Sequence, residues 1–294
     1  MPQITANNIA LEYEEYGDKT APPMLLVMGL GAQLTLWPME LVEALVERGY
    51  RVIRYDNRDI GLSQKMEDAG NPSIPWTVIK ARFGIKPKVP YTLSDMAADA
   101  VGLLDALDID KAHIVGASMG GMISQLIAAE YPDRVLSLTS VMSTTGHRKL
   151  PPARKEAFKA LTTRPANTDV KTMIEHGLYI SRSIGSPGYP ADEARLRERA
   201  EINFKRSYYP AGMARQMAAI IADGDRRERL AKVTAPTLVV HGEADPLVTV
   251  EGGHDTARYI PGAKLKTFPG MGHDLPLELV EPMADAIAEH ASAA

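Results

Sequence analysis

Apolar positions recur along the chain in short blocks whose period changes, and those changes divide it into elements. Ile9, Leu11 and Tyr13 alternate with polar residues, the signature of a half-exposed antiparallel strand, before Gly17, Asp18, Pro22 and Pro23 break the run. Met24 to Met28 is apolar throughout, as expected of a strand covered on both faces. A helix is predicted from about Pro38 to Arg48, closed by Gly49, and Arg51 to Tyr55 forms the next strand. Strand, helix, strand in this order implies a parallel sheet.

Residues 64–91 interrupt the rhythm with Pro72, Pro75, Pro87 and Pro90 around a helix-capable piece from Trp76 to Phe83. So long a connection serves either as a gate or pocket wall or as a plain surface excursion. Thr92 and Asp95 have capping-box spacing for a helix over 95–107. His113 to Val115 and Val135 to Met142 read as further strands.

From Ser143 to about Leu230 no strand pattern is present. Helical segments near 152–163, 169–182, 191–206 and 211–222 are separated by Pro165, Pro187, Pro190 and Pro210. The alternation resumes with a strand over 237–241, a helix over 250–259, a strand over 264–268 and a last helix over 278–291. The expected fold is therefore α/β: a mostly parallel central sheet flanked by helices. Residues 1–142 and 231–294 would form its core, and 143–230 a helical lid inserted between the two halves of one sheet.

Composition changes this picture little. The chain has 294 residues, 45% hydrophobic and 24% charged, enough for a large core. A net charge of −4 gives no reason to expect nucleic acid or an anionic membrane surface as a partner, and the basic run Arg226 to Arg229 reads as a solvated helix face diluted by Asp225 and Glu228. The absence of cysteine excludes disulfides, thiolate catalysis and cysteine metal sites. The N-terminus lacks the pattern of a signal peptide, and no apolar run approaches the roughly 18 residues of a membrane span. Cytoplasmic residence without stable membrane association is the expectation, and the pattern leaves the oligomeric state open.

The chemistry concentrates in Gly116-Ala117-Ser118-Met119-Gly120-Gly121, where a strand meets a helix. A serine on so sharp a turn sits in a strained backbone, so its neighbours two before and two after must be nearly side-chain free. Ser118 is the candidate nucleophile. It needs a base and a carboxylate, expected in the order serine, acid, histidine on loops after later strands. Asp245 follows the 237–241 strand and His273 the 264–268 strand. Of seven histidines only His273 lies between the last strand and the last helix; His113, His147, His176, His254 and His290 read as structural or solvated.

Asp56 also follows a strand, but it precedes the serine and reads as part of a self-bonded turn. A metal site from His241, Glu243, Asp245 and His254 is disfavoured: alternate strand positions face opposite ways, and no His-Glu-x-x-His pattern is present. The main-chain N–H groups of Met119 and of Leu30, between Gly29 and Gly31, are the candidate oxyanion donors. Gly29, Met173, Tyr179, Tyr208, Tyr209 and Met213 are the candidate substrate contacts, some of which belong instead to the core of the lid.

Taken together, Leu26 to Gly29, Arg54 to Ser63, Gly116 to Gly121, Gly242 to Asp245 and Pro269 to His273 resemble the α/β-hydrolase superfamily, most closely the esterase branch that includes aclacinomycin methylesterase. One departure is Met28-Gly29, where many relatives carry His-Gly. The resemblance implies Ser118 as nucleophile, Asp245 as acid, His273 as base, and an oxyanion hole at Leu30 and Met119. The expected function is serine carboxylesterase action on small to medium esters, through an acyl-enzyme and with no cofactor. Lactone or carbon-carbon bond hydrolysis, cofactor-free perhydrolysis and a ligand receptor on a hydrolase scaffold are the alternatives.

Overall fold

A computed structural model describes residues 3–294. Strands β1 (Gln3–Ala6), β2 (Ile9–Tyr16), β3 (Pro23–Val27), β4 (Arg51–Tyr55), β5 (Ala112–Ala117), β6 (Val135–Val141), β7 (Thr237–Gly242) and β8 (Lys264–Phe268) form a single sheet. Its order is β1-β2-β4-β3-β5-β6-β7-β8. The β1–β2 and β2–β4 pairs are antiparallel and every other pair is parallel. Pattern alone missed β1, an edge strand with a single buried residue, Ala6.

The chain's helices run in order from α1 (Met39–Glu47) and α2 (Ile74–Arg82) through α3 (Leu93–Ala106) to α4 (Met119–Glu130). Then come α5 (Lys155–Thr162), α6 (Val170–Ile184), α7 (Glu193–Arg206) and α8 (Pro210–Asp223), the all-helical block between β6 and β7, followed by the short α9 (Arg227–Leu230), α10 (Val250–Tyr259) and α11 (Val280–Ser292). The capping box is present at α3: Asp95 N–H donates to Thr92 Oγ1, and Thr92 N–H to Asp95 Oδ2.

Because strand side chains alternate, β3 feeds two cores. Leu25 and Val27 join Ile53, Ile114 and the inner faces of α3 and α4, including Leu103, Ile123 and Leu126. Met24 and Leu26 join Val52, Val115, Val240 and the inner faces of α1 and α11, including Leu41, Leu45, Met283 and Ile287. Covering both faces this way explains the unbroken apolar reading of the central strands. It also fixes a topological switch: β3 continues to β4 on one side, β5 to β6 on the other, and their C-terminal ends lie side by side.

Two of the basic and polar expectations are corrected. Arg226 is not on a solvated face: it is 1% exposed, donating to Asp223 Oδ2 at 2.6 Å, Thr144 O at 2.5 Å and Gln125 Oε1 at 3.2 Å. Those acceptors lie on other elements, so no local charge pattern announces the pocket that swallows the guanidinium. His290 is likewise buried rather than at the surface, with Nε2 3.2 Å from Pro236 O.

His113, buried on β5, sets its Nδ1 2.8 Å from Ser137 Oγ and its ring edge-on to Tyr50. Burial, assisted by the nearby His290, lowers its pKa from 6.5 to about 4. The fold thus favours neutral imidazole, so its contribution is complete above about pH 6.5 and is lost as pH falls towards 4. We expect urea denaturation to show stability falling over that window by up to about 3 kcal/mol from this group. His113→Asn, which keeps a polar atom for Ser137, should flatten the slope; parallel wild-type and variant profiles would refute the assignment.

Candidate active site

The elbow is a steric construction. Ser118 takes φ +57° and ψ −118°, a region that costs a residue with a Cβ about 1–3 kcal/mol. A Cβ at position 116 would lie 2.2 Å from Gly120 O and from Ser124 Oγ, one at 120 would lie 2.0 Å from Val27 O, and one at 121 would lie 2.6 Å from Ser143 Cβ. Only glycine lets β5, α4 and β3 approach closely enough to hold this turn. The strain is retained because the turn is over-determined: Ser118 N–H donates to Val141 O at 2.9 Å, and Ser143 Oγ donates to Ser118 O at 2.8 Å.

His273 and Asp245 converge on that serine. His273 Nε2 lies 3.0 Å from Ser118 Oγ, and His273 Nδ1 lies 2.7 Å from Asp245 Oδ2. Asp245 is 2% exposed, and its other oxygen accepts from Leu247 N–H at 2.8 Å and Val248 N–H at 2.9 Å. Burial alone would raise this carboxyl, but the charge and hydrogen bonding of His273 and His241 outweigh it, holding Asp245 well below the usual carboxylate range. His241 is fully buried with Nε2 3.6 Å from Asp245 Oδ2 and 2.7 Å from Val248 O. Sequence reasoning considered His241 only as a metal ligand. Its strand position just before the acid loop is the signal that places it behind Asp245. Among the described residues no group of three or more His, Asp or Glu side chains is gathered to hold a metal ion.

The loop after β3 lies directly over Ser118. A Cβ at Gly29 would be 3.2 Å from Ser118 Cβ and 3.7 Å from Ser118 Oγ. The loop is pinned from beneath and above: Asn57 Nδ2 donates to Met28 O at 2.8 Å, Leu34 N–H to Asp56 Oδ1 at 2.7 Å, and Gly31 N–H to Gln216 Oε1 at 2.9 Å. Gln216 Nε2 also donates to Arg58 O at 2.9 Å. The N–H groups of Leu30 and Met119, by contrast, meet no acceptor among the described residues.

Asp56 belongs to a turn bonded within itself, with Ser63 Oγ donating to its carbonyl at 2.6 Å, but it does more than hold that turn. It is a buried tie that also accepts from Leu62 N–H at 2.8 Å and from Arg206 Nη1 at 2.6 Å on α7. Gly61 records this in the sequence: at φ +57° a Cβ there would sit 1.9 Å from Asp56 Oδ2. Asp59 is held in the same way by Nε and Nη2 of Arg215 on α8, at 2.8 and 2.9 Å.

The candidate substrate contacts divide. Met213, on α8, packs against the loop over Ser118, where a Cβ at Gly31 would be 3.2 Å from Met213 Cγ. Tyr209 is engaged instead by Arg215, which donates to its hydroxyl at 2.9 Å and lies over its ring. Tyr208 and Tyr179 are exposed, Tyr208 packing on Phe204, and Met173 is half-buried on α6 beside the buried Ile174.

Known proteins share this architecture along nearly the whole chain. It is 30% identical to the rhodomycin D methylesterase of Streptomyces peucetius, over 99% of this chain and 98% of that one. The crystal structure of the enol-lactonase from Burkholderia xenovorans superposes with a TM-score of 0.75 at 25% identity, covering 99% of this chain and 100% of that one. A meta-cleavage product hydrolase from Pseudomonas fluorescens superposes at 0.77 with 20% identity, over 100% and 98% of the two chains, which speaks for the fold alone. The family model for the α/β-hydrolase fold matches residues 22–278, from just before β3 to beyond His273, and the chain belongs to that family.

Proposed function

We propose that this protein is a serine carboxylesterase acting on small to medium carboxylic esters. The observation that carries the reading is the unbroken line from Asp245 through His273 to Ser118, with separations of 2.7 and 3.0 Å, at the switch between β3 and β5. Ser118 Oγ attacks the ester carbonyl while His273 Nε2 takes its proton. The developing oxyanion is met by Leu30 N–H and Met119 N–H, the latter at the start of α4, where the helix dipole adds to the attraction. His273 then gives the proton to the leaving alcohol, and water repeats the sequence to release the acid. The relay itself calls for no cofactor. Because the hole uses main-chain donors, Met28 in place of histidine does not remove one.

The similarity to the rhodomycin D methylesterase favours esters of small alcohols. A lactone substrate is the second reading, favoured by the likeness to the enol-lactonase structure; it requires the same attack, with the leaving alcohol tethered to the acyl group. Residues 143–230 act as the lid over a core of 1–142 and 231–294. Met213 and Gln216 on the oxyanion loop, and Arg206 on Asp56, support that division.

The test is covalent trapping joined to turnover. A fluorophosphonate should add one adduct, located on the Ser118 peptide by mass spectrometry, and abolish hydrolysis of p-nitrophenyl acetate, butyrate and octanoate. Labelling elsewhere, or ester turnover that survives stoichiometric labelling, would overturn the serine mechanism. Enol-lactone opening that outpaces every ester would shift the assignment to the second reading.

A further inference from the structure

Helix α2 is built against the ordinary rule for a surface helix. Thr77 is its one buried residue, while Trp76 is 63% exposed and Phe83, which caps its end, 75%. Trp76, Ile79 and Phe83 follow i, i+3, i+7 spacing and so share one face, and Ile85 is exposed just beyond. These side chains are presented rather than merely loose: α2 packs on α8, Arg215 Nη1 donates to Gly70 O at 3.1 Å, and the Arg148 guanidinium donates to the carbonyls of Ala81 and Arg82.

The charge of this stretch opposes that of the chain. Between Gly70 and Ser94 there is no acidic residue, whereas Lys80, Arg82, Lys86 and Lys88 are all exposed, in a protein of net charge −4. Lys80 and Lys88 stand with Trp76 and Pro87 around a concavity of about 450 Å³. An indole and a phenyl ring at the surface, ringed by cations, match a boundary with an apolar interior and a negative plane.

We propose that residues 74–88 form a docking surface for an anionic lipid bilayer. Trp76 and Phe83 enter the boundary between headgroups and acyl chains, and Lys80, Arg82, Lys86 and Lys88 lie against lipid phosphates. A bilayer is favoured over an acidic protein because the exposed apolar side chains Trp76, Ile79, Phe83 and Ile85 are interleaved with the exposed cations Lys80, Arg82, Lys86 and Lys88, which matches an apolar interior and a negative plane together. Among the described residues no helix is long and apolar enough to cross a membrane, so the contact is peripheral and salt-sensitive. This inference does not depend on the esterase assignment.

The chain itself carries the probe. Of its two tryptophans Trp37 is 1% exposed and Trp76 63%, so an emission change on lipid contact belongs to Trp76. Full-length protein is titrated with vesicles of phosphatidylcholine alone and of an equimolar mixture with phosphatidylglycerol, following fluorescence and co-sedimentation. The expected result is a blue shift and sedimentation with the anionic vesicles only, both lost at high salt. Trp76→Phe should abolish the shift, and Lys80→Glu with Lys88→Glu should weaken partitioning at least about thirtyfold without altering the melting temperature. No partitioning into anionic vesicles at low salt, equal partitioning into neutral ones, or unchanged partitioning of the charge variant would overturn the proposal. So would lipid-free self-association in sedimentation velocity that Trp76→Ser with Phe83→Ser removes, which would make the face a contact between copies.

Discussion

Ser118→Ala is expected to lower kcat/KM for ester hydrolysis by about 10⁴ to 10⁶-fold while leaving the fold intact. The substitution removes one oxygen and keeps the Cβ, so the strained turn and its glycine neighbours see the same backbone and volume. What disappears is the nucleophile and its 3.0 Å contact to His273 Nε2. Residual hydrolysis would come from binding and the Leu30 and Met119 donors acting on water. Purified variant and parent are compared by initial rates and circular dichroism. A loss smaller than about tenfold would mean that the chemistry does not pass through Ser118.

Asp245→Asn should cost about 10⁴ in kcat, and the structure decides why. Leu247 N–H and Val248 N–H both donate to one Asp245 oxygen, at 2.8 and 2.9 Å. In the asparagine variant those two donors claim the amide oxygen, which turns the NH₂ towards His273. That group cannot accept from Nδ1–H, so the imidazole is driven to the tautomer with its proton on Nε2, facing Ser118, where a base is needed. The loss should fall on kcat with KM little changed, since Asp245 is buried behind the histidine. The acid side of the stability profile should change as well. Asp245 is held below its ordinary pKa, so its favourable contribution is present above about pH 4 and lost as pH falls further, and the variant lacks that slope. Near-wild-type kcat in Asp245→Asn would remove Asp245 from the relay.

The parts of the site that pattern revealed are those whose chemistry is fixed by neighbours in the chain. Gly116, Gly120 and Gly121 around Ser118, and Asp245 and His273 each just beyond a strand, carry their signals locally. The buried ion pairs do not. Arg215 with Asp59, Arg206 with Asp56, and Arg226 with Asp223 and Gln125 are mostly contacts between elements far apart in sequence, so arginines that look solvated are drawn inside by partners that no periodicity names. The same limit separates Met213, which rests on the loop over Ser118, from Tyr209, which Arg215 holds aside. Both are apolar residues of the helical block, and only packing distinguishes them. Element boundaries fared better: helix α10 and strand β8 end where the hydrophobic rhythm and flanking turn residues place them.

His273 is suspended from the helical block. His273 N–H donates to Ile184 O, the last residue of α6, at 2.7 Å; Gly272 N–H donates to Ser186 Oγ; and a Cβ at Gly272 would lie 2.4 Å from Gly185 O. A displacement of the end of α6 would therefore pull on the peptide that carries the imidazole. The imidazole's place is thus set by residues 184–186 of the helical block as well as by the strand that precedes it.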